Sequence, residues 1–191
     1  MTSNRPSGSD VVADVTPYHA GISAIDTHYV RPHLDASHLI VQAGRAAFVD
    51  TGTSHSVPLL LAALEAAGRS VDEVDYVFVT HVHLDHAGGA GQLIAACPNA
   101  VAVLHPRGAP HLADPAKLEA GSRAVYGDEL FERLYGEIRP IPEARIRTVA
   151  DEEQIDWAGR HLRFIHTEGH ARHHYCICLL YTSPSPRDQR P

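Results

Sequence analysis

The chain has 191 residues, of which 44% are hydrophobic, and its 16 basic and 23 acidic residues leave a formal charge of -7. This size and composition predict one globular domain, large enough to bury a hydrophobic core of its own. The acidic balance argues against nucleic acid as the main partner, because phosphate binding needs a basic face.

The N-terminal residues predict neither export nor membrane insertion. No apolar run approaches the ~20 residues that span a bilayer, and the polar opening MTSNRPSGSD has no apolar stretch of the secretory type. Cys97, Cys176 and Cys178 have no disulfide-framework spacing, which fits a reducing compartment. We therefore expect a cytoplasmic protein without membrane contact, beginning with a disordered lead-in over residues 1–17.

Strand and helix patterns alternate over the first hundred residues. Short β-type stretches within residues 11–30 precede two apolar runs, SHLIVQAG and RAAFVDTG, which meet at Gly44-Arg45 as in a hairpin. A helix is predicted for SVPLLLAALEAAG, since proline lies near its start and glycine at its end. A buried strand is predicted for VDYVFVT, a helix for AGQLIAACP and a further strand for VAVLH.

The second half predicts helices first and strands afterwards. Within residues 106–140, helices are predicted for PAKLEAGSRAVYG and DELFERLYG, each closed by a glycine. Strands are predicted for RIRTVA, HLRFIHT and YCICLL, with a turn at residues 157–160 between two of them. The whole pattern predicts a layered α/β domain with a mixed sheet.

The last residues differ in character from the rest of the chain. Residues 178–188 read CLLYTSPSPRD, which matches the in-frame translation of a common transposase-library sequencing adapter at every position. We therefore interpret residues 178–191 as an artefactual tail on a domain that spans 18–177 and is truncated at its C-terminus. The alternative is a genuine Ser/Pro-rich disordered tail.

Histidine is the residue in excess, with 15 in the chain, and one dense motif contains several of them. Residues 81–86 read HVHLDH and directly follow the predicted strand VDYVFVT, at the sheet end where α/β proteins place their sites. Residues two apart in an extended chain face the same side, so His81 and His83 can converge on one cation. Asp85 and His86 lie just beyond, and imidazole with carboxylate suits a transition metal. The alternative interpretation is a polar loop.

This motif, followed by Gly88 and Gly89, resembles the HxHxDH signature of the metallo-β-lactamase superfamily. Residues 48–52 (FVDTG) resemble the family's early strand that ends in an aspartate and a tight turn. Residues 166–170 (HTEGH) resemble its HTPGH segment, although Glu168 replaces the usual proline. The resemblance covers Tyr18 to Ile177 and favours the glyoxalase-II-like or lactonase-like branch. It implies a four-layer αββα sandwich with a metal site at the edge between two sheets.

The resemblance also implies a ligand set. His81, His83 and His170 would hold a first metal, and Asp85 and His86 would contribute to a second. The family's bridging aspartate and last histidine would lie beyond Ile177 and are not assigned. The implied cofactor is Zn²⁺, two ions in the complete protein, with iron or manganese as alternatives.

Metal-assisted hydrolysis of a small molecule is the function that the resemblance implies. Two metals would share a water or hydroxide that attacks a carbonyl or phosphoryl centre, and Asp85 would have a catalytic role in orienting it or accepting its proton. An ester, thioester, lactone, β-lactam or phosphoester fits equally well, because fold does not decide the substrate. The alternatives are an iron-dependent oxidoreductase of the sulfur dioxygenase type and an inactive metal-binding fragment with an exposed sheet edge.

Other residues carry weaker expectations. We expect Asp50 to hydrogen-bond to the ligand loop from outside the ligand set, or to be an Asx-type turn residue. We expect His173 and His174 to be partly exposed polar groups rather than pocket residues. A polar surface loop, with a substrate-facing loop as the alternative, is predicted for His28, Tyr29, Arg31, His33 and His38. Core aromatics, with a pocket or lid role as the alternative, are predicted for Tyr126, Phe131 and Tyr135.

Overall fold

The computed structural model describes residues 11–180, which form ten strands and six helices. The first half contains β1 (Val15–Pro17), β2 (Ile22–Asp26), β3 (Ala36–Gln42), β4 (Arg45–Val49), α1 (Val57–Ala66), β5 (Val74–Val79), α2 (Leu84–Ala87), α3 (Ala90–Ala96) and β6 (Val101–Leu104). The second half contains α4 (Ala109–Ala113), α5 (Ala116–Tyr126), α6 (Asp128–Leu134), β7 (Ile146–Thr148), β8 (Gln154–Trp157), β9 (Arg160–His166) and β10 (Tyr175–Leu180).

The strands form two sheets. Seven lie in the order β1-β2-β3-β4-β5-β6-β7, with antiparallel pairing from β1 to β4 and parallel pairing from β4 to β7. The second sheet has the order β10-β9-β8 and is antiparallel. The predicted mixed sheet is therefore confirmed. The predicted hairpin is also present, with Gln42 opposite Arg45 and positive φ at Ala43 and Gly44.

The central strands of the large sheet, β4 to β6, are largely buried on both faces. In β5, Val77 and Val79 pack into one core cluster with α1 and α3, whereas Phe78 faces the second sheet and packs against Phe164 with ring centroids 5.6 Å apart. This alternation is why the apolar run VDYVFV suits a central strand. Within residues 11–180, the layers are thus helix, large sheet and small sheet.

Two predicted segments, the lead-in and the tail, overlap strands of the structure. The lead-in was expected to reach residue 17, but Val15–Pro17 form β1, because their backbone pairs with β2; residues 1–10 of that lead-in lie outside the described residues. The strand β10 continues to Leu180 in register with β9 and so includes the first three residues of the predicted tail, whose artefactual origin stays a prediction. The remaining residues of the tail, 181–191, also lie outside the described part.

Three elements, α2, α4 and β8, are not predicted by the sequence pattern; α2 is a single turn of four residues. The helix α4 has five residues and contains proline, so its sequence has too few turns to show a helical period. The strand β8 has four residues that alternate between exposed and buried, and we had assigned only the turn that follows it. The helix α4 packs against α5 and β7, and the strand β8 pairs with its hairpin partner β9.

Strand β10 lies at an edge of the small sheet as described. Beside it opens a cleft of about 360 Å³, lined mainly by apolar side chains of β2, β3, β4 and β10, such as Ile40 and Ile177. None of the helices between residues 11 and 180 combines the length and apolar character needed to cross a bilayer.

Asp75 in β5 links the two sheets. Its carboxylate accepts a hydrogen bond from Arg45 Nε at 2.9 Å and from Trp157 Nε1 at 2.7 Å. The hydrogen bond from Arg45 lowers the pKa of Asp75 despite partial burial, which acts in the opposite direction. Trp157 is 5% exposed, so its indole N–H needs a partner inside the protein.

We expect Asp75→Ala to lower the free energy of unfolding by about 1–3 kcal/mol, because it leaves a buried indole N–H without an acceptor. The fluorescence of Trp157, the sole tryptophan, reports this in urea unfolding. Folding lowers the pKa of Asp75, so this contribution is complete above the unfolded carboxyl pKa of about 3.9 and is lost as pH falls through the lower folded value.

The matched control for this experiment is Asp72→Ala, which removes an exposed carboxylate from the turn before β5. Equal losses of stability for the two variants, or a loss at Asp75 that does not change as pH falls to 2, would contradict the assigned role.

Candidate metal centre

One residue, Thr80, separates the end of β5 from the HVHLDH motif, and the second half of the motif lies in α2. His83 precedes the helix in an extended conformation, and Asp85 and His86 lie within its single turn. His83 therefore continues in extended chain up to the helix, whereas Asp85 and His86 are redirected by it. Gly89, three residues after the motif, lets the backbone pass close to Thr53, since a Cβ at this position would lie 2.7 Å from the carbonyl oxygen of Thr53.

Three histidines from two distant segments face one another. The ring centroids of His81, His83 and His170 lie 4.7 to 4.9 Å apart, and Nδ1 of His83 is 3.0 Å from Nε2 of His170. One nitrogen from each ring falls within 4.8 Å of the others. His83 and His170 are exposed, so this group opens to solvent on one side.

His81 is the buried member of the group. Its side chain is 3% exposed, and its Nε2 is buried without a hydrogen-bond partner among the described residues. Burial, together with the neighbouring His86, His83 and His170, lowers the pKa of His81 to about 3. The ring is thus neutral at physiological pH, which is the form that ligates metals. A cation among these rings would satisfy the orphaned nitrogen, so the residues fit a metal site.

Asp50 supports the histidines from the adjacent strand end. Its Oδ1 accepts hydrogen bonds from the backbone N–H of Thr80 at 2.8 Å and from the Thr80 hydroxyl at 3.0 Å, and its Oδ2 lies 3.0 Å from Nδ1 of His86. The Thr80 hydroxyl also lies 3.0 Å from Nδ1 of His81. Asp50 therefore contacts the ligand loop, and its backbone has a φ of 57°; its role beside the ligand set stays a prediction.

A second group of three candidate ligands combines Asp50 with His81 and His86. The rings of the two histidines are 4.3 Å apart. Burial disfavours protonation of His86, but the hydrogen bond and charge of Asp50, with the charges of Asp35 and Asp85, raise its pKa to about 9. The acidic side of the site is therefore suited to a positive charge.

Asp85 lies beside the histidines at the open side of the site. Its Oδ2 is 3.9 Å from Nε2 of His86, and its side chain is 35% exposed. It joins no three-residue ligand group within residues 11–180. The structure thus places the predicted ligands around one opening, with Asp50 closer to His86 than Asp85 is.

Three residues near the site were not predicted to be there. His174 lies with its ring 5.3 Å from that of His81 and its Nδ1 2.6 Å from the Thr167 hydroxyl. The His173 ring is 6.0 Å from that of His83. Asp35 Oδ1 lies 3.9 Å from Nδ1 of His86. The two histidines had a usable signal, since they follow His170 on the connection to β10, whereas Asp35 had none.

The aromatic residues of the helical insertion are mostly core residues. Phe131 and Tyr135 are buried and pack on Leu84, between His83 and Asp85, which confirms the expectation for both. Tyr126 is 43% exposed. In the predicted surface loop, His28, Arg31 and His33 are exposed, Tyr29 is half-buried and His38 lies in β3.

Comparisons with known proteins agree on one family. A family model described as Metallo-beta-lactamase superfamily matches residues 31–183. The chain is 28% identical over 143 residues to a metallo-beta-lactamase fold-containing protein of Sulfurisphaera tokodaii, covering 72% of this chain and 51% of that protein. It is 28% identical over 137 residues to a hydroxyacylglutathione hydrolase of Aeromonas hydrophila, covering 71% and 39%. The chain thus spans about half or less of the length of these relatives.

Solved structures of metallo-β-lactamases have the same fold. The FEZ-1 enzyme of Legionella gormanii superimposes with a TM-score of 0.65 at 18% identity, over 84% of this chain and 55% of that one. The subclass B3 enzyme MEM-A1 from a soil metagenome gives 0.64 at 21% identity, over 86% and 56%. At such identities the likeness concerns the fold alone, and it confirms the predicted fold class.

The three-histidine group predicts a specific loss of metal. We expect His81→Ala combined with His83→Ala to abolish binding at that position, because two of three nitrogens are removed. Metal content after dialysis measures this, and the paired control His19→Ala with His161→Ala removes two exposed histidines elsewhere. Full metal content in the first double variant would refute the ligand assignment.

The contacts of Asp50 predict a weaker effect of Asp50→Asn. Asparagine tolerates the positive φ and keeps one acceptor, but it loses the charge that holds His86. We expect metal affinity to fall roughly 10- to 100-fold with unchanged stoichiometry, as for groups that orient ligands. Titration with a competing chelator measures it, with Asp156→Asn as control. Outright loss of one metal per chain would instead make Asp50 a ligand.

Proposed function

Because the chain belongs to the metallo-beta-lactamase superfamily, we propose that it is a metal-dependent hydrolase, with zinc as the metal. The observation that carries this proposal is the buried, unpartnered Nε2 of His81 inside a group of three histidines. We propose His81, His83 and His170 as ligands of one ion and His86 with Asp85 as ligands of a second. The second group of candidate ligands, which consists of Asp50, His81 and His86, supports a second metal position beside His86.

The side chains divide the chemical work between them. Bound zinc supplies Lewis acidity and lowers the pKa of water towards neutrality. Burial keeps His81 neutral, so it ligates without first losing a proton. Asp50 engages Nδ1 of His86 and thereby fixes the ring so that Nε2 is directed towards Asp85. The half-exposed carboxylate of Asp85 is available to hold a proton at Oδ2 beside the substrate, which is the role of a general base.

We propose a small ester or thioester as the substrate. The relative from Aeromonas hydrophila is described as a hydroxyacylglutathione hydrolase, which supports a thioester as the first compound to test. The net charge of -7 supports a small molecule rather than nucleic acid as partner. The free thiols of Cys97 and Cys176 support a cytoplasmic location.

The test is hydrolysis of a hydroxyacylglutathione by protein reconstituted with Zn²⁺. We expect chelation to abolish turnover and Zn²⁺ to restore it. We also expect Asp85→Asn to lower kcat about 100-fold or more, because the proton acceptor is lost, while Asp156→Asn leaves kcat unchanged.

The outcomes separate the alternatives. Stoichiometric iron in the purified protein, with oxygen consumption on thiol substrates, would replace hydrolysis by redox chemistry. Full turnover by Asp85→Asn would remove Asp85 from the reaction. Metal uptake without hydrolysis of any ester or thioester would reduce the chain to a metal-binding module.

A further inference from the structure

Two carboxylates lie opposite each other at one end of the antiparallel pair β1 and β2. Asp14 directly precedes β1, and Asp26 is the last residue of β2 and donates its backbone N–H to the carbonyl oxygen of Asp14 at 3.0 Å. Like charges at opposed positions of paired strands repel each other. Among residues 11–180, neither carboxylate has an arginine or lysine nitrogen within 4 Å. The pair therefore needs positive charge from another source.

Asp26 is the buried member of the pair. Its side chain is 3% exposed, and its two oxygens accept hydrogen bonds from the backbone N–H groups of His28 at 3.0 Å and His33 at 2.9 Å. Burial acts to raise the pKa of Asp26, but these two hydrogen bonds and the charges of the two imidazoles lower it below its usual value. The carboxylate is thus ionised at neutral pH, and its oxygens keep lone pairs that the backbone donors do not use.

His33 completes a group of three candidate ligands with the two aspartates. Its Nδ1 lies 3.7 Å from Oδ2 of Asp26, and its Nε2 lies 3.6 Å from Oδ2 of Asp14. One ligand atom from each of the three residues falls within 4.8 Å of the others. The three side chains line a cavity of about 220 Å³, and Asp14 and His33 are exposed, so an ion can enter. Two carboxylates with one imidazole suit Zn²⁺ or Mn²⁺.

We propose that Asp14, Asp26 and His33 bind a divalent transition-metal ion, with Zn²⁺ as the ion to test. The site shares no residue with the two candidate ligand groups of the metal centre, and the proposal does not depend on hydrolysis. The ion would join the residue before β1 to the loop between β2 and β3. That loop ends at Asp35, whose Oδ1 lies 3.9 Å from Nδ1 of His86, so the ion would stabilise backbone beside the metal centre.

The test is the amount of zinc bound per chain after equilibrium dialysis at a fixed free Zn²⁺ concentration. We expect His33→Asn to lower it by one ion, both in the parent protein and in the His81→Ala, His83→Ala variant, because the sites are separate. Asparagine tolerates the φ of 57° at residue 33 and keeps the backbone N–H that Asp26 accepts, so only the imidazole is lost. We expect Asp14→Asn to raise the dissociation constant of this site about 10-fold or more, because a charged ligand is lost.

The matched control is His28→Asn, which should leave the bound zinc unchanged. His28 also has a positive φ, 56°, and its Nε2 is likewise 3.7 Å from Oδ2 of Asp26, but it belongs to no three-residue ligand group within residues 11–180. Unchanged zinc in His33→Asn would overturn the proposal and leave Asp14, Asp26 and His33 as ion pairs only. Equal losses in His28→Asn and His33→Asn would also overturn it, because zinc would then follow the number of exposed histidines and not the ligand group.

Discussion

The metal centre depends on Thr80, which hydrogen-bonds to three parts of the fold. Its N–H and hydroxyl donate to the Asp50 carboxylate, its hydroxyl lies 3.0 Å from Nδ1 of His81, and its carbonyl oxygen accepts the backbone N–H of Tyr175 at 3.0 Å. Asp50 follows β4, Thr80 follows β5 and Tyr175 begins β10. Thr80 thus links the ends of the parallel strands β4 and β5 to β10 of the second sheet, directly before the histidines of the motif.

Charge is divided unequally around the histidines. Asp50, Asp35 and Asp85 surround His86 and favour its positive form, whereas His81 is buried among other rings and stays neutral. The neutral imidazole of His81 beside a group of carboxylates is complementary to a cation. Without one, the arrangement is costly, because a buried nitrogen of His81 has no partner among the described residues. The cost explains why such a cluster indicates a site and not a packing arrangement.

The sequence predicts local features of this site well, because those features depend on spacing along one strand. The positions of His81 and His83 follow from extended geometry at the end of β5, and the aspartate of DTG follows from the end of the neighbouring strand. His170 required the resemblance to a family, since no periodicity relates it to residues 90 positions earlier. The strand β8 and the helix α4 were missed because short segments carry little pattern of their own and are held by partners elsewhere in the fold.

Contacts between residues far apart in the sequence could not be predicted from the sequence pattern. The pair Tyr29 and Tyr135 joins a loop to a helix through one hydrogen bond, and nothing in either segment specifies the other. Asp35 lies near His86 at the end of a loop whose backbone N–H groups at His28 and His33 donate to Asp26. Core burial and polar satisfaction operate on the folded chain as a whole, so such pairs appear only when the strands are in register.

The second sheet contributes more than packing to the site. Tyr175 is fully buried, and its hydroxyl donates to the carbonyl oxygen of Val103 in β6 at 2.8 Å while its backbone N–H donates to Thr80. These two contacts hold the start of β10 against the large sheet, and the connection that carries His170 and His174 immediately precedes it. The proposed ligands therefore come from both sheets, so a cation bound among them would resist separation of the sheets. Metal binding would then be coupled to folding through the β9–β10 connection, because a site absent from the unfolded chain stabilises the folded one.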